Sequence, residues 1–401
     1  MYGNCMKSCP ECSPTHQLDH RKEWAMNVVD DVMNSFSRRL SFPLLESMVQ
    51  RVAIGALLGS FRLIGLIKSK PVTEDSHVHQ RTKVIAEEAE KRGWKVMMLS
   101  FLGHDSNLFF VDGAGKSDVF EGLPGLDPAK TITKVDDKEW VKHLLRSLEC
   151  PTPEGQAFTN VMKALRYGEQ LGFPLVVKPR TGSLSAHTTV NIQSMDELER
   201  AVLVAKHVSP SFMVEQYVPG NLYRATTVGT SLVAVGRRDP PCIIGDGVQT
   251  AGELITAREA EQRELLVALG YKPEEVPGLP RNHMKKDPSE ILPLGERVAV
   301  TWKINLSYGA TVTDVTDRVH PDNIELFEGV AKAAKLPSLG IDFLAPDIAV
   351  SYKEQRCGVI ELNSLPSIDL HHPPIVIGTF RNVAAALLDH VYGSKLDESR
   401  T

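Results

Sequence analysis

Cysteine is scarce: there are six in 401 residues. That is too few for a disulfide framework, and a reducing cytoplasm is the expected setting. No apolar run approaches the roughly 20 residues that a membrane-spanning helix needs. The best stretch, Val52 to Ile67, is interrupted by Arg62 and flanked by Arg51 and Lys68, so no membrane partner is expected. The first residues lack the basic-then-apolar order of a secretory leader. Positive charge is not in excess either. The net charge is −5, which gives no electrostatic case for nucleic-acid binding. No internal repeat and no low-complexity tract is visible. What remains is ordinary globular composition, 42% hydrophobic and 24% charged. The length suits roughly two or three modest domains.

One stretch organises the rest. Leu175, Val176 and Val177 form a short β-branched run closed by Pro179, the pattern of a buried strand. Lys178 sits at its end. A buried lysine is costly unless its charge is met. Taken alone, Lys178 either snorkels to the surface or is held for a polyphosphate. A small polar turn, Thr181 to Thr188, follows and leads to a second strand, Thr189 to Ile192. Strand, lysine, polar turn, strand is the plan of a hairpin that closes over nucleotide phosphates.

Near the C-terminal end, Gly340 to Leu344 and Val359 to Asn363 read as two strands. Glu361 and Asn363 are two apart and share one strand face. With Asp342 they make a hard, oxygen-rich donor set that suits Mg²⁺ and phosphate oxygens. The plainer reading is an acid pair at a strand end. At the other end, Cys5, Cys9 and Cys12 have the spacing of an iron–sulfur loop, and Cys9, Cys12, His16 and His20 are zinc-type donors. A mobile tail with free thiols is preferred to both. Residues 21–68 read as helices with an apolar face for the main body or a homodimer. The segment from His77 reads as a small α/β unit, with a helix ended by Gly93 and strands at Trp94–Phe101 and Asn107–Asp112. His77 and His79 are solvated loop residues or substrate contacts. Glu253–Leu269 reads as a helix in an insertion, residues 250–295, where Arg281, Lys285 and Lys286 are solvated or face an acidic substrate.

Several motifs in order resemble the ATP-grasp superfamily, and most of all the ATP-grasp domain of cyanophycin synthetase and related amino-acid ligases. They are Lys178-Pro179, Val190-Asn-Ile192, Met213-Val-Glu-Gln-Tyr-Val-Pro-Gly220, Arg237-Arg238-x-Pro-Pro241 and Gly245-Asp-Gly247. The resemblance covers roughly residues 135 to 390. It implies an α+β ATP-grasp fold, two subdomains gripping ATP, preceded by a small α/β domain and N-terminal helices. The expected divisions are 1–70, 71–135, 136–392 (split into 136–220 and 221–392) and a tail, 393–401. It implies Lys138 and Lys178 on the ATP phosphates, and Glu215 and Val218 bordering adenine through backbone groups. Gly182 and Ser183 belong to the phosphate turn, although Ser185 and His187 stand where relatives carry glycine. Arg224 and Arg238 are candidates for an acyl phosphate or a substrate carboxylate, since a guanidinium fork suits planar anions. Asn305 lies by the phosphates or the nascent acyl phosphate. Thr301 stands where relatives commonly have arginine, and Lys303 is its electrostatic substitute. Asp342, Glu361 and Asn363 hold magnesium, with two ions expected. The implied activity is an ADP-forming ligation of a carboxylate to an amine, with amino acids or small peptides as substrates. Two alternatives remain: a non-amine acceptor, or a nucleotide-binding module that has lost turnover and acts with a partner. No Mur-ligase-like half follows the motifs, so a stand-alone ligase is expected over a polymerase.

Overall fold

Strand pairing begins earlier than the helical reading of residues 21–68 suggests. The computed structural model describes residues 11–12, 19–25, 27–28, 67–73, 76, 78–101, 104–113, 116–126, 134–181, 186–276, 278–279 and 284–393. Residues 20–25 and 27–28 are helical, whereas the apolar stretch expected to form an interface lies almost wholly outside the described residues. Its last residue, Ile67, opens strand β1 (Ile67–Pro71). Lys68 and Lys70 mark this as a charged edge strand, ended by proline. Helix α1 (Gln80–Lys91) follows, with β2 (Lys95–Phe101), β3 (His104–Gly113) and β4 (Lys116–Glu121). The four strands pair antiparallel in sequence order. His79 accepts the Arg81 N–H at 3.3 Å and so caps α1.

This unit does not have a core to itself. Val84, Ile85 and Phe109 pack in one cluster with Val228, Ile368 and Leu387 from the C-terminal half. The small unit therefore sits directly on the sheet that carries the acidic residues.

Helix α2 (Lys138–Ser147) opens the second unit. Then come β5 (Gly155–Phe158), α3 (Val161–Leu171), β6 (Leu175–Pro179), β7 (Thr189–Ile192), α4 (Met195–Lys206) and β8 (Phe212–Gln216). The strand order is β5-β8-β6-β7, all antiparallel. Ala164 on α3 and Leu198, Ala201 and Val202 on α4 cover Leu175, Val177 and Val214. Both helices have side-chain caps at their starts, from Asn160 and Ser194.

The third unit is a six-stranded sheet. It contains β9 (Asn221–Val228), β10 (Ser231–Asp239), β13 (Thr311–Asp314), β14 (Ser338–Ala345), β15 (Gly358–Asn363) and β16 (Val376–Ile377), in the order β15-β14-β9-β10-β13-β16. Only β13 and β16 run parallel. A separate two-stranded ladder, β11 (Cys242–Ile244) with β12 (Arg297–Ala299), flanks helix α5 (Ala251–Ala268). Helix α6 (Pro321–Ala334) packs on the six-stranded sheet, where the Phe327 and Phe343 rings meet edge to face at 5.3 Å. Helix α7 (Val383–Tyr392) closes the described chain. Gly220 links β8 to β9 with φ +142°, and a Cβ there would lie 2.6 Å from the Ala345 carbonyl carbon. Only glycine suits that approach. Among the described residues, no helix is long and apolar enough to cross a membrane.

Candidate active site

Strand β6 delivers Lys178 into a buried environment, and β8 supplies its partner. Glu215 lies opposite Val176 on one side and Gly155 on the other. Its carboxylate takes Lys178 Nζ at 2.6 Å and Lys142 Nζ, from α2, at 2.8 Å. Lys142 also donates to the Pro153 carbonyl at 2.7 Å. Gly155 makes room, since a Cβ there would lie 2.4 Å from Glu215 Cβ. Burial by itself would push the Glu215 carboxyl up, but Lys178 and Lys142 outweigh it and hold the group down at about 2. Burial lowers Lys142, and its second lysine neighbour adds to that, against the pull of Glu215. The sequence assigns Glu215 a backbone role; the structure gives its side chain two short ionic contacts, at 2.6 and 2.8 Å.

The acidic set lies on the facing sheet. Asp342 on β14 is in register with Glu361 on β15 and with Arg224 on β9. Arg224 grips it in a fork, Nε to Oδ1 at 2.6 Å and Nη2 to Oδ2 at 3.2 Å. Arg238 on β10 brings Nη1 to 3.8 Å from Asp342 Oδ2 and donates to the Ile304 carbonyl at 2.9 Å. Burial opposes ionisation of Asp342, yet the two guanidinium groups keep it below the usual carboxylate range. Arg224 is therefore engaged with a protein carboxylate, rather than offering an open fork as the sequence reading expects. Glu361 is 35% exposed and takes Lys138 Nζ at 3.2 Å. Asn363, on the same face of β15, has a buried Nδ2 without a hydrogen-bond partner.

Three contacts join the two sheets into one cleft. Lys178 Nζ donates to the Ile360 carbonyl at 3.3 Å. Val359 N–H donates to the Pro151 carbonyl at 2.8 Å. Ser364 Oγ donates to Asp136 Oδ2 at 2.7 Å. Lys178 and Glu361, remote in sequence, thus border the same space. Lys138, Lys142, Lys178, Arg224 and Arg238 face three carboxylates, Glu215, Asp342 and Glu361. The surplus is positive, as a polyanion requires.

The remaining expected residues are distributed unevenly. Val218 is buried in the link after β8. Asn305 is next to the carbonyl held by Arg238, and its Oδ1 accepts from Ser307 N–H and Oγ, each at 3.0 Å. Thr301 is buried, and Lys303 turns to Glu11 at 3.2 Å. Gly182, Ser183 and Ser185 lie outside the described residues, as do Cys5, Cys9, His16, His77 and Arg281. Arg237 pairs with Asp239 at 2.9 Å, and Lys286 with Glu290 at 2.6 Å.

A second polar cluster goes unnoticed in the sequence. Asp369 and His371 follow β15 and are buried against Arg81, Arg224 and Thr226. His371 Nε2 is 2.8 Å from Thr226 Oγ1, while His371 Nδ1 and Asp369 Oδ1 are buried without partners. Burial pushes Asp369 up to about 6 and His371 down to about 3. The available signal was Asp369-Leu-His371-His372, four residues with three titratable groups, six positions after Asn363.

No family model matches the chain. Curated relatives do. A cyanophycin synthetase of Trichormus variabilis is 30% identical over 350 residues, covering 80% of this chain and 36% of that protein. One from Synechocystis is 29% identical over 386 residues, covering 91% of this chain and 42% of that protein. The chain belongs to the ATP-grasp superfamily. This ATP-grasp chain spans 36% to 42% of the length of those two relatives. The bifunctional glutathione biosynthesis protein GshAB of Clostridium perfringens is 25% identical over 322 residues, 78% of this chain and 41% of that protein. Among solved structures, a bifunctional glutathione synthetase from Pasteurella multocida aligns at TM-score 0.44 and 20% identity, over 71% of this chain and 40% of that chain. The α+β architecture expected from the motifs is the one observed, but the small unit before it, expected as α/β, is an antiparallel four-stranded sheet with one helix.

Proposed function

We propose that this ATP-grasp protein is an ADP-forming ligase that joins a carboxylate to an amine through an acyl phosphate. Its substrates are amino acids or small peptides. One observation carries the reading: Lys178 and Glu361 meet in a single cleft with surplus positive charge and a patch of oxygen donors.

Lys138 and Lys178 are the groups that neutralise ATP phosphates, and Val218 borders the base. Asp342, Glu361 and Asn363 are the donors for magnesium. They fit it: two carboxylates and an amide oxygen are hard ligands, and the unpartnered Asn363 amide leaves that side chain unclaimed by the protein. Magnesium, when bound as one or two ions, offsets charge on the phosphates and polarises the transferred group. Glu215 holds Lys178 and Lys142 in place, so their charge is preorganised rather than gathered at reaction. Arg224 orients Asp342. Arg238, anchored on Ile304 beside Asn305, leans toward the same carboxylate and lies where an acyl phosphate would need a cation. Catalysis of this kind is positioning and electrostatics, and the chain needs no general base for it.

A second reading is a nucleotide-binding module without turnover. It is favoured by Arg224 being spent on Asp342 and by Lys303 being turned to Glu11 rather than replacing the arginine missing at Thr301. Incubation with Mg-ATP and a matrix of carboxylates and amines separates the two. ADP release with a new amide in the mass spectrum supports the ligase. ATP binding without ADP release across the matrix supports the module.

A further inference from the structure

Residues far apart in the chain bring soft metal donors together outside the ATP cleft. Cys12 Sγ lies 3.1 Å from His20 Nε2 and 3.5 Å from His187 Nε2. All three donor atoms lie within 4.8 Å of one another. Cys12 and His187 are buried, and His20 is half-buried. Tetrahedral zinc with ordinary bond lengths separates sulfur from nitrogen by about 3.6 Å, and two nitrogens by about 3.3 Å. The two sulfur–nitrogen distances are of that size, and the two nitrogens lie within 4.8 Å of each other.

The orientation of His187 is the stronger clue. Its Nδ1 lies 3.0 Å from the Val204 carbonyl, which accepts no proton-free nitrogen, so Nδ1 carries the hydrogen. Nε2 is then left with its lone pair directed at Cys12. Metal-binding imidazoles are held this way, by a carbonyl on the opposite ring nitrogen. The backbone at His187 is in the left-handed region, φ +53°, an uncommon conformation for a residue other than glycine. The motif resemblance leads one to expect glycine at this position in the phosphate turn. A left-handed residue other than glycine thus stands here, with its imidazole facing Cys12.

We infer that Cys12, His20 and His187 form a zinc site, with water or a further donor at the fourth corner. One thiolate and two imidazoles suit Zn²⁺, whereas the oxygen donors at Asp342 and Glu361 suit Mg²⁺. The chain therefore sorts two metals by ligand softness. The zinc site ties the N-terminal segment to the turn after β6. Neighbouring contacts extend the tie: Tyr308 Oη donates to the Cys12 carbonyl at 2.7 Å, His187 N–H donates to the Glu11 carbonyl at 3.2 Å, and Lys303 reaches Glu11. Metal binding braces one wall of the ATP cleft and replaces the flexibility that glycine would give the turn.

The test is metal content and spectroscopy on the full chain, independent of turnover. Purified without chelator from zinc-supplemented cells, the protein should carry about one zinc per chain by inductively coupled plasma mass spectrometry. Replacement with Co²⁺ should give a thiolate-to-cobalt charge-transfer band in the near ultraviolet and visible bands of tetrahedral cobalt. Cys12→Ser should remove the charge-transfer band, and Cys12→Ser or His187→Gln should weaken Zn²⁺ at least tenfold. If either variant does not fold, the wild-type cobalt spectrum decides: a tetrahedral spectrum with thiolate character supports the site. Substoichiometric zinc together with no cobalt spectrum in the wild type overturns the proposal. So does zinc content unchanged in folded Cys12→Ser and His187→Gln proteins.

Discussion

Glu215 and Lys178 meet at 2.6 Å inside the sheet, and the same carboxylate holds Lys142 at 2.8 Å. One buried acid thus fixes two buried bases. Removing it leaves two lysines without their counter-charge, and breaking a buried pair costs about 3–5 kcal/mol. Glu215→Gln should lose that much in urea unfolding at pH 7. The loss depends on pH. Glu215 is held at about 2 in the fold, against about 4.3 in an unfolded chain. Its contribution is present above the unfolded value and disappears as pH falls toward 2. The gap between wild type and variant should close over that range. A gap that stays constant from pH 7 to the acid limit would contradict the depressed carboxyl.

Glu361 is the contrasting acid. It is 35% exposed, with Lys138 at 3.2 Å as its counter-charge. Lys138 is buried, 4% exposed, but the carboxylate is partly solvated, so the pair should contribute roughly 1–2 kcal/mol. Glu361→Ala should therefore leave the thermal midpoint within a few degrees of wild type. ADP release in the presence of magnesium should fall by about a hundredfold or more, since the group acts on developing charge. Full activity in a folded Glu361→Ala protein would sink its assignment as a metal ligand.

Asp342 shares the proposed metal with Glu361 but differs in its structural duty. It is buried in the fork of Arg224, with Arg238 nearby. Asp342→Asn should lose activity as Glu361→Ala does, and also about 3–5 kcal/mol of stability, because two buried guanidinium groups lose their anion. Chemical denaturation of the two variants side by side distinguishes a ligand that also anchors the sheet from one that does not. Equal stabilities would mean the Arg224 fork is dispensable.

Much of this arrangement was legible before any coordinates. The strand Leu175–Pro179, the hairpin β9–β10, and the acids of β14 and β15 carry strong local patterns, and their pairing across the cleft followed from motif order. What escaped was non-local or weakly patterned. Strand β5 is four residues beginning with glycine, and β16 is two; neither has room for an alternating signal. Strand β1 hides at the end of an apolar stretch that reads as helix. The double use of Glu215 was invisible because Lys142 reaches it from a helix whose Lys138 and Lys142 spacing looks like a solvated face. His187 in place of glycine looked like a loss to the phosphate turn. Only the fold reveals that it faces Cys12, 175 positions away.

Asp369 and His371 give the last prediction, because burial pushes them in opposite directions. Asp369 sits at about 6 in the fold, and an unfolded aspartate near 3.9. Its contribution is fullest below the unfolded value and is lost as pH rises through about 6. His371 sits at about 3, against about 6.5 unfolded. Its contribution is present above 6.5 and is lost as pH falls toward 3. Between pH 4 and 6 the two slopes oppose each other, so the wild-type stability curve hides both. Asp369→Asn removes one. The stability of the variant relative to wild type should rise by roughly 1–3 kcal/mol from pH 4 to pH 6. Urea titrations at half-unit pH steps read this directly. A difference that does not change with pH in that window would mean Asp369 is ionised throughout, with a cation close enough to hold it so.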